Sequence, residues 1–169
     1  GGLEVHAFQL ALGAEPAGGE PVAFRFFPES SANSALARHR PEARWPEGQV
    51  PTGEDLHVPC CRLSEALACV LGAGLEREAV EADGLFLKVD VEGAELEVLQ
   101  GLDPDDWPLV QGLAVEVQGS GNLRAARRLC QDAGLGGSDG EGLFDSRQPH
   151  GFAGAGSPSL FMLYGRRHP

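Results

Sequence analysis

The sequence predicts an α/β fold, and three observations carry that prediction. Residues 84–91 read Gly-Leu-Phe-Leu-Lys-Val-Asp-Val, with Leu85, Leu87, Val89 and Val91 on one face and Phe86, Lys88 and Asp90 on the other. Gly93 breaks the alternation, and Leu96, Val98, Leu99 and Leu102 then recur at helical spacing. A second apolar strand follows at Leu113-Ala114-Val115-Glu116-Val117. A strand, a helix and a strand in that order form a βαβ unit with parallel strands and a right-handed crossover. The unbroken Leu85-Phe86-Leu87 run further predicts burial on both faces of the first strand.

The remaining elements follow in chain order. Val5 to Leu12 alternates, with Phe8, Leu10 and Leu12 on one face. Glu15 to Pro21 is rich in Gly and Pro and reads as a turn. Val22, Phe24 and Phe26 then alternate against Ala23, Arg25 and Phe27, so the two runs predict a hairpin. Residues 28–57 carry Pro28, Pro41, Pro46 and Pro51, few aliphatics and little pattern. They read as a flexible loop, either a lid facing substrate or a disordered insert. Between Leu63 and Glu81, a stripe of Leu63, Ala66, Leu67, Val70 and Leu71 predicts a helix that Gly72 and Gly74 weaken, with Ser64 as its candidate cap. Asp103 to Pro108 is a loop. Asn122 to Ala133 is a helix with Leu123, Ala126 and Cys130 inward and Arg124, Arg127 and Arg128 on a solvated face. Residues 134–156 form a Gly- and Ser-rich loop, and Leu160 to Tyr164 is a last short strand.

Composition narrows the partners. The chain of 169 residues is long enough for one domain with a real core. Its 13 basic and 25 acidic residues give a net charge of −12, which argues against nucleic acid and against a polybasic membrane dock. No apolar run reaches the roughly 18 residues that a membrane span needs. No signal peptide is visible, and the start at Gly1-Gly2-Leu3 without an initiator Met suggests a fragment. Cys60, Cys61, Cys69 and Cys130 lack the spacing of a zinc site and read as ordinary thiols.

One segment carries a resemblance. Leu87-Lys88-Val89-Asp90-Val91-Glu92-Gly93-Ala94-Glu95-Leu96, continuing through Leu99-Gln100-Gly101, resembles the signature of the FkbM-type methyltransferases. The match is ungapped and keeps Lys88, Asp90, Glu92 and Gly93 together. The resemblance implies an S-adenosylmethionine-dependent enzyme on a Rossmann-like sheet, with a hydroxyl of a small molecule or glycan as acceptor. It implies that residues 1–169 are a single partial domain, the second half to two-thirds of the family's, lacking the first two strands and their helices. The donor loop, a Gly-x-Gly-x-Gly run between a strand and a helix, is absent from the start of the chain. Gly134-Leu135-Gly136-Gly137 follows a helix instead of preceding one. The chain departs from the family pattern at two further places: Ala11-Leu12-Gly13-Ala14 has no acidic residue, and Leu63-Ser64 stands where a Leu-Asp pair is usual. Ser30, Ser31, Asn33 and Ser34 fall where the family tends to place small polar residues. In that fold the two absent strands lie beside the Leu85–Val91 strand, so its edge would be open and the isolated chain only marginally stable.

Four residues are site candidates. Asp90 and Glu92 sit at the carboxyl end of a strand, where open α/β sheets bind ligands. Parallel pairing brings Glu116 to the same edge. Lys88 shares a strand face with Asp90, and a buried pair of such charges must be matched. The resemblance makes Asp90 the acceptor-side base, with Glu92 beside it and Lys88 holding the carboxylates. Glu95 and Glu97 read as acids favoured at a helix N-terminus. No residue is assigned to the donor, and no metal is expected. Two other functions fit the residues: a non-catalytic interaction module retaining half the fold, and a metal-dependent hydrolase using Asp90, Glu92 and Glu116.

Overall fold

The computed structural model describes residues 5, 7–39, 45, 48–72, 80, 83–136, 142–147 and 159–167. Its strands are β1 (Ala11–Gly13), β2 (Val22–Phe26), β3 (Ala35–Leu36), β4 (Glu54–Val58), β5 (Cys60–Arg62), β6 (Leu85–Val89), β7 (Val110–Gln118), β8 (Leu143–Arg147) and β9 (Leu160–Arg166). Its helices are α1 (Leu63–Gly72), α2 (Glu95–Gln100) and α3 (Ser120–Asp132). Among the described residues, no helix is long and apolar enough to cross a membrane.

The predicted βαβ unit is the centre of the molecule. β6 and β7 pair in parallel, with Lys88 opposite Ala114 and Val89 opposite Val115. β9 runs antiparallel beside β7, and β8 antiparallel beside β9, giving the order β6-β7-β9-β8. One face of this sheet carries Val89, Leu113, Val115, Val117 and Leu163, all buried. It packs on Val98 and Leu99 of α2 and on Leu123, Ala126 and Cys130 of α3. Burial on both faces of β6 is not what forms: Phe86 is 69% exposed and Lys88 also faces solvent. Among the described residues β6 is the outer strand of its sheet, and the face that carries Phe86 and Lys88 is its exposed one.

The predicted N-terminal hairpin is replaced by two other pairings. β1 lies parallel to β5, with Leu12 opposite Cys61. β2 is the middle of an antiparallel ribbon, β3-β2-β4. The stretch read as a patternless loop, 28–57, therefore supplies two strands, and Ala35 and Leu36 of β3 are buried; residues 40–44 and 46–47 lie outside the described residues. β4 escapes sequence reading because four of its residues, Glu54 to His57, are exposed. Its backbone ladder to β2 carries the pairing, and Arg25, directly opposite Asp55, adds an ion pair with N···O 2.8 Å.

Two helix expectations also change in detail. Ser64 does not cap α1. Its Oγ accepts the Asp103 N–H at 2.7 Å and its own N–H donates to the Gly101 carbonyl at 3.0 Å. The α1 start is held by Glu65, whose Oε2 accepts the Arg62 N–H at 2.9 Å, one half of a capping box. Arg127 faces outward with its side chain 37% exposed, and its guanidinium also pairs with Asp145 and donates to the Leu143 carbonyl. Arg124 and Arg128 are exposed as expected. β8 lies inside the stretch 134–156 read as a loop, of which 137–141 and 148–158 are outside the described residues.

β1, α1 and α2 meet where Gly101 ends α2. A Cβ on Gly101 would lie 2.4 Å from the Gly13 carbonyl oxygen and 2.8 Å from the Leu63 nitrogen. The three segments thus touch backbone to backbone, which only glycine permits.

Candidate functional site

β6 ends at Val89 and hands the chain to a tight acidic turn. Glu92 adopts φ 56° and Gly93 φ 114°. The left-handed region is sparsely populated by residues with a Cβ, so Glu92 holds its conformation at some cost. The turn folds Glu92 back over the carboxyl ends of β6 and β7, where Gln118 Nε2 donates to Glu92 Oε2 at 2.8 Å. Glu116 lies two residues earlier on β7. One carboxylate oxygen each from Asp90, Glu92 and Glu116 falls within 4.8 Å of the others.

The predicted carboxylates therefore converge, and parallel register is the reason. Lys88 joins them through its Nζ, which donates to Asp90 Oδ2 at 2.9 Å. The expectation of a buried ion pair is corrected here: the Lys88 and Asp90 side chains are 51% and 47% exposed. Phe86 and Lys88 occupy the uncovered face of the outer strand, so water screens the pair. Such a pair contributes about 0–1 kcal/mol, and its use is to offset repulsion among three close carboxylates. Three hard oxygen donors could bracket one hard cation. Among the described residues no His or Cys completes that set.

Glu95 stands in the first turn of α2, where the helix-dipole reading put it, and it is also buried, which that reading did not expect. Its side chain is buried, 1% exposed, and Oε1 accepts the Gly93 N–H at 2.6 Å. Burial pushes its carboxyl above the usual range, while the Gly93 hydrogen bond pulls it back and the nearby Glu92 charge pushes it further up. A signal was present: Glu95, Val98, Leu99 and Leu102 are spaced i, i+3, i+4 and i+7, so Glu95 stands on the apolar stripe of its own helix. Glu97 faces the other way. It pairs with the Arg38 guanidinium and lies 3.3 Å from His39 Nε2. These contacts bind α2 to residues 37–39, and a Cβ on Gly93 would lie 3.4 Å from the His39 ring.

A cavity of about 460 Å³ opens beside Asp90 and Glu92. Leu10 to Leu12 form one wall, Phe24 and Leu36 another, and Ser31 and Ser34 a third. Ser31 and Ser34, two of the four small polar residues named from the sequence, thus reach the site region, although the Ser34 Oγ already accepts the Phe27 N–H at 3.0 Å. A second cavity, about 750 Å³, lies between the Gly13–Glu20 loop and the Arg38–Glu97 pair, with Cys60 in its wall. All four cysteines are free thiols, as read from their spacing.

The model of the Methyltransferase FkbM domain matches residues 26–134, from the end of β2 to just beyond α3. The chain belongs to the FkbM methyltransferase family. The signature segment around Asp90 lies inside that match, as the resemblance implied. This FkbM domain is 32% identical over 144 residues to Methyltransferase 1 of Beauveria bassiana (strain ARSEF 2860), covering 78% of the chain and 52% of the relative. It is 33% identical over 143 residues to Methyltransferase sdnD of Sordaria araneosa, covering 78% and 54% respectively. Over 70 residues it is 37% identical to the 31-O-demethyl-FK506 methyltransferase FkbM of Streptomyces tacrolimicus, covering 41% and 24%. The chain spans about half the length of the first two of these relatives. No solved structure matches it significantly.

Proposed function

We infer that this FkbM domain is the acceptor-side part of an S-adenosylmethionine-dependent methyltransferase that places a methyl group on a hydroxyl oxygen of a small molecule or glycan. The observation that carries the reading is the convergence of Asp90, Glu92 and Glu116 beside a cavity, in a chain of this family. The name of one relative, 31-O-demethyl-FK506 methyltransferase, supports oxygen as the accepting atom. The donor set suits the cationic end of S-adenosylmethionine, since three carboxylates favour a positive neighbour. When bound, that donor supplies an electrophilic methyl on a sulfonium. Among the described residues no Gly-x-Gly-x-Gly run joins a strand to a helix, so the nucleoside end is assigned to no residue of this chain.

The residues then divide the work. Asp90 accepts a hydrogen bond from the acceptor hydroxyl and takes its proton as charge leaves the oxygen. Lys88 holds the Asp90 carboxylate from the open side. Gln118 fixes Glu92, and the strained Glu92-Gly93 turn keeps both acids aimed over the sheet edge. Glu116, outside the cavity lining, adds negative potential beside Asp90 and Glu92. In the full-length protein, Asp90→Asn should lower methyl transfer by about 10²–10⁴-fold with the melting temperature unchanged. Unchanged turnover would remove Asp90 from this role.

A second reading, a non-catalytic interaction module, is favoured by one observation: β6 is an outer strand with Phe86 69% exposed. Calorimetric titration of S-adenosylmethionine into this chain and into the full-length protein separates the two. Binding by the full-length protein alone supports the acceptor-side reading. Binding by neither supports the module.

A further inference from the structure

The 460 Å³ cavity beside Asp90 is chemically lopsided. Its acids, Asp90 and Glu92, stand together in the turn after β6. Hydrocarbon forms most of the remaining surface: Leu10 and Leu12 from β1 and its approach, Phe24 from β2, Leu36 from β3, and Val91 and Ala94 flanking the acidic turn. Ser31 and Ser34 are the other lining residues with polar side chains, and the Ser34 Oγ already accepts the Phe27 N–H. Among the described lining residues there is no Lys, Arg, His, Asn, Gln, Trp or Tyr.

Each property excludes a class of acceptor. An anionic acceptor would meet carboxylates with no lining cation to offset them. A glycan presents hydroxyls all round its ring, and most would be buried against leucine and phenylalanine without partners, which is costly. The volume falls within the range of sites for small organic ligands and is walled mainly by hydrocarbon, as such sites are. We propose that this cavity seats an uncharged, largely hydrocarbon small molecule with one hydroxyl turned toward Asp90, and not a glycan. The inference rests on the methyltransferase reading for its word acceptor. The class of ligand is carried by the cavity alone.

The test therefore measures binding apart from turnover. The full-length protein is titrated with phenol, 1-naphthol and methyl glucoside, using ligand-observed saturation-transfer NMR. Affinity should rise from phenol to 1-naphthol, and methyl glucoside should show no transfer. Phe24→Ser and Leu10→Ser should each weaken 1-naphthol on the order of tenfold, the scale of one lost apolar wall contact. Phe144→Ser, an exposed apolar position on β8 outside the cavity, should leave binding unchanged, and thermal melts verify that each variant is folded. Glucoside binding tighter than naphthol, or naphthol binding indifferent to both cavity variants, overturns the proposal even if methyl transfer is observed. Naphthol binding at this cavity without methyl transfer to any hydroxyl leaves the ligand class standing and removes the enzymatic reading.

Discussion

A carboxyl group taken out of water is a cost that a protein keeps for a reason, and Glu95 is such a group. It is 1% exposed, and it accepts the amide of the glycine that lets the acidic turn close. Its raised pKa has a definite sign in stability. Well below 4.5, the ordinary value, folded and unfolded chains both carry the proton. As pH rises above that value the unfolded chain ionises first, so the unfolded state gains and stability falls until the folded carboxyl also ionises. Glu95→Gln keeps an acceptor for Gly93 and has no charge to bury. Its melting temperature relative to the parent should climb between pH 4.5 and the raised folded value, then level off. Parallel melting curves for the two proteins across pH 4 to 8 would show that Glu95 is not protonated by burial. The same residue shows where sequence reading stopped. Asp90, Glu92 and Glu116 were legible because strand periodicity and parallel pairing bring them to one edge. Glu95 was given to the helix dipole, although its spacing to Val98, Leu99 and Leu102 puts it on the core side.

Among the elements, β6, α2, β7 and α3 could be read directly, because each buries one face and so writes its period into the sequence. β2, β3 and β4 could not be joined correctly. The exposed residues of β4 carry no apolar alternation, and a hairpin with the nearest alternating run was the natural substitute. What decides the true pairing is backbone hydrogen bonding between distant segments, which side-chain pattern does not record. The junction at Gly101 has the same character, since Gly13, Leu63 and Gly101 are far apart in sequence and adjacent in space. Gly101→Ala would set a methyl 2.4 Å from a carbonyl oxygen and 2.8 Å from an amide nitrogen. Neither backbone group can rotate away. The substitution should destabilise by about 1–3 kcal/mol, read from urea unfolding, by prising β1 and α1 off α2. A change under about 0.5 kcal/mol would mean that the junction is looser than these distances.

At the scale of the whole molecule, the described strands fall into separate hydrogen-bonded sheets. Among the described residues β1-β5 and β6-β7-β9-β8 share no strand, and β6 leaves one edge unpaired. On β6 itself Phe86, 69% exposed, adds apolar surface. We read this as the place of the two strands that the family resemblance implies, in relatives about twice this length. The 169-residue chain alone should therefore melt broadly, with a van't Hoff enthalpy well below the calorimetric one, and the full-length protein should melt sharply. A sharp, cooperative melt of the chain alone would overturn that reading.

The strand order β6-β7-β9-β8 also sets a sequence of events during synthesis. The ribosome releases β8 before β9, yet β8 has no neighbour in the sheet until β9 arrives to lie between it and β7. Arg167, directly after β9, then fastens the carbonyls of Trp107, Val110 and Ala133. The nascent chain must carry β8 as a waiting strand, and the sheet closes only when its penultimate strand in space, the last of these to be made, slots in.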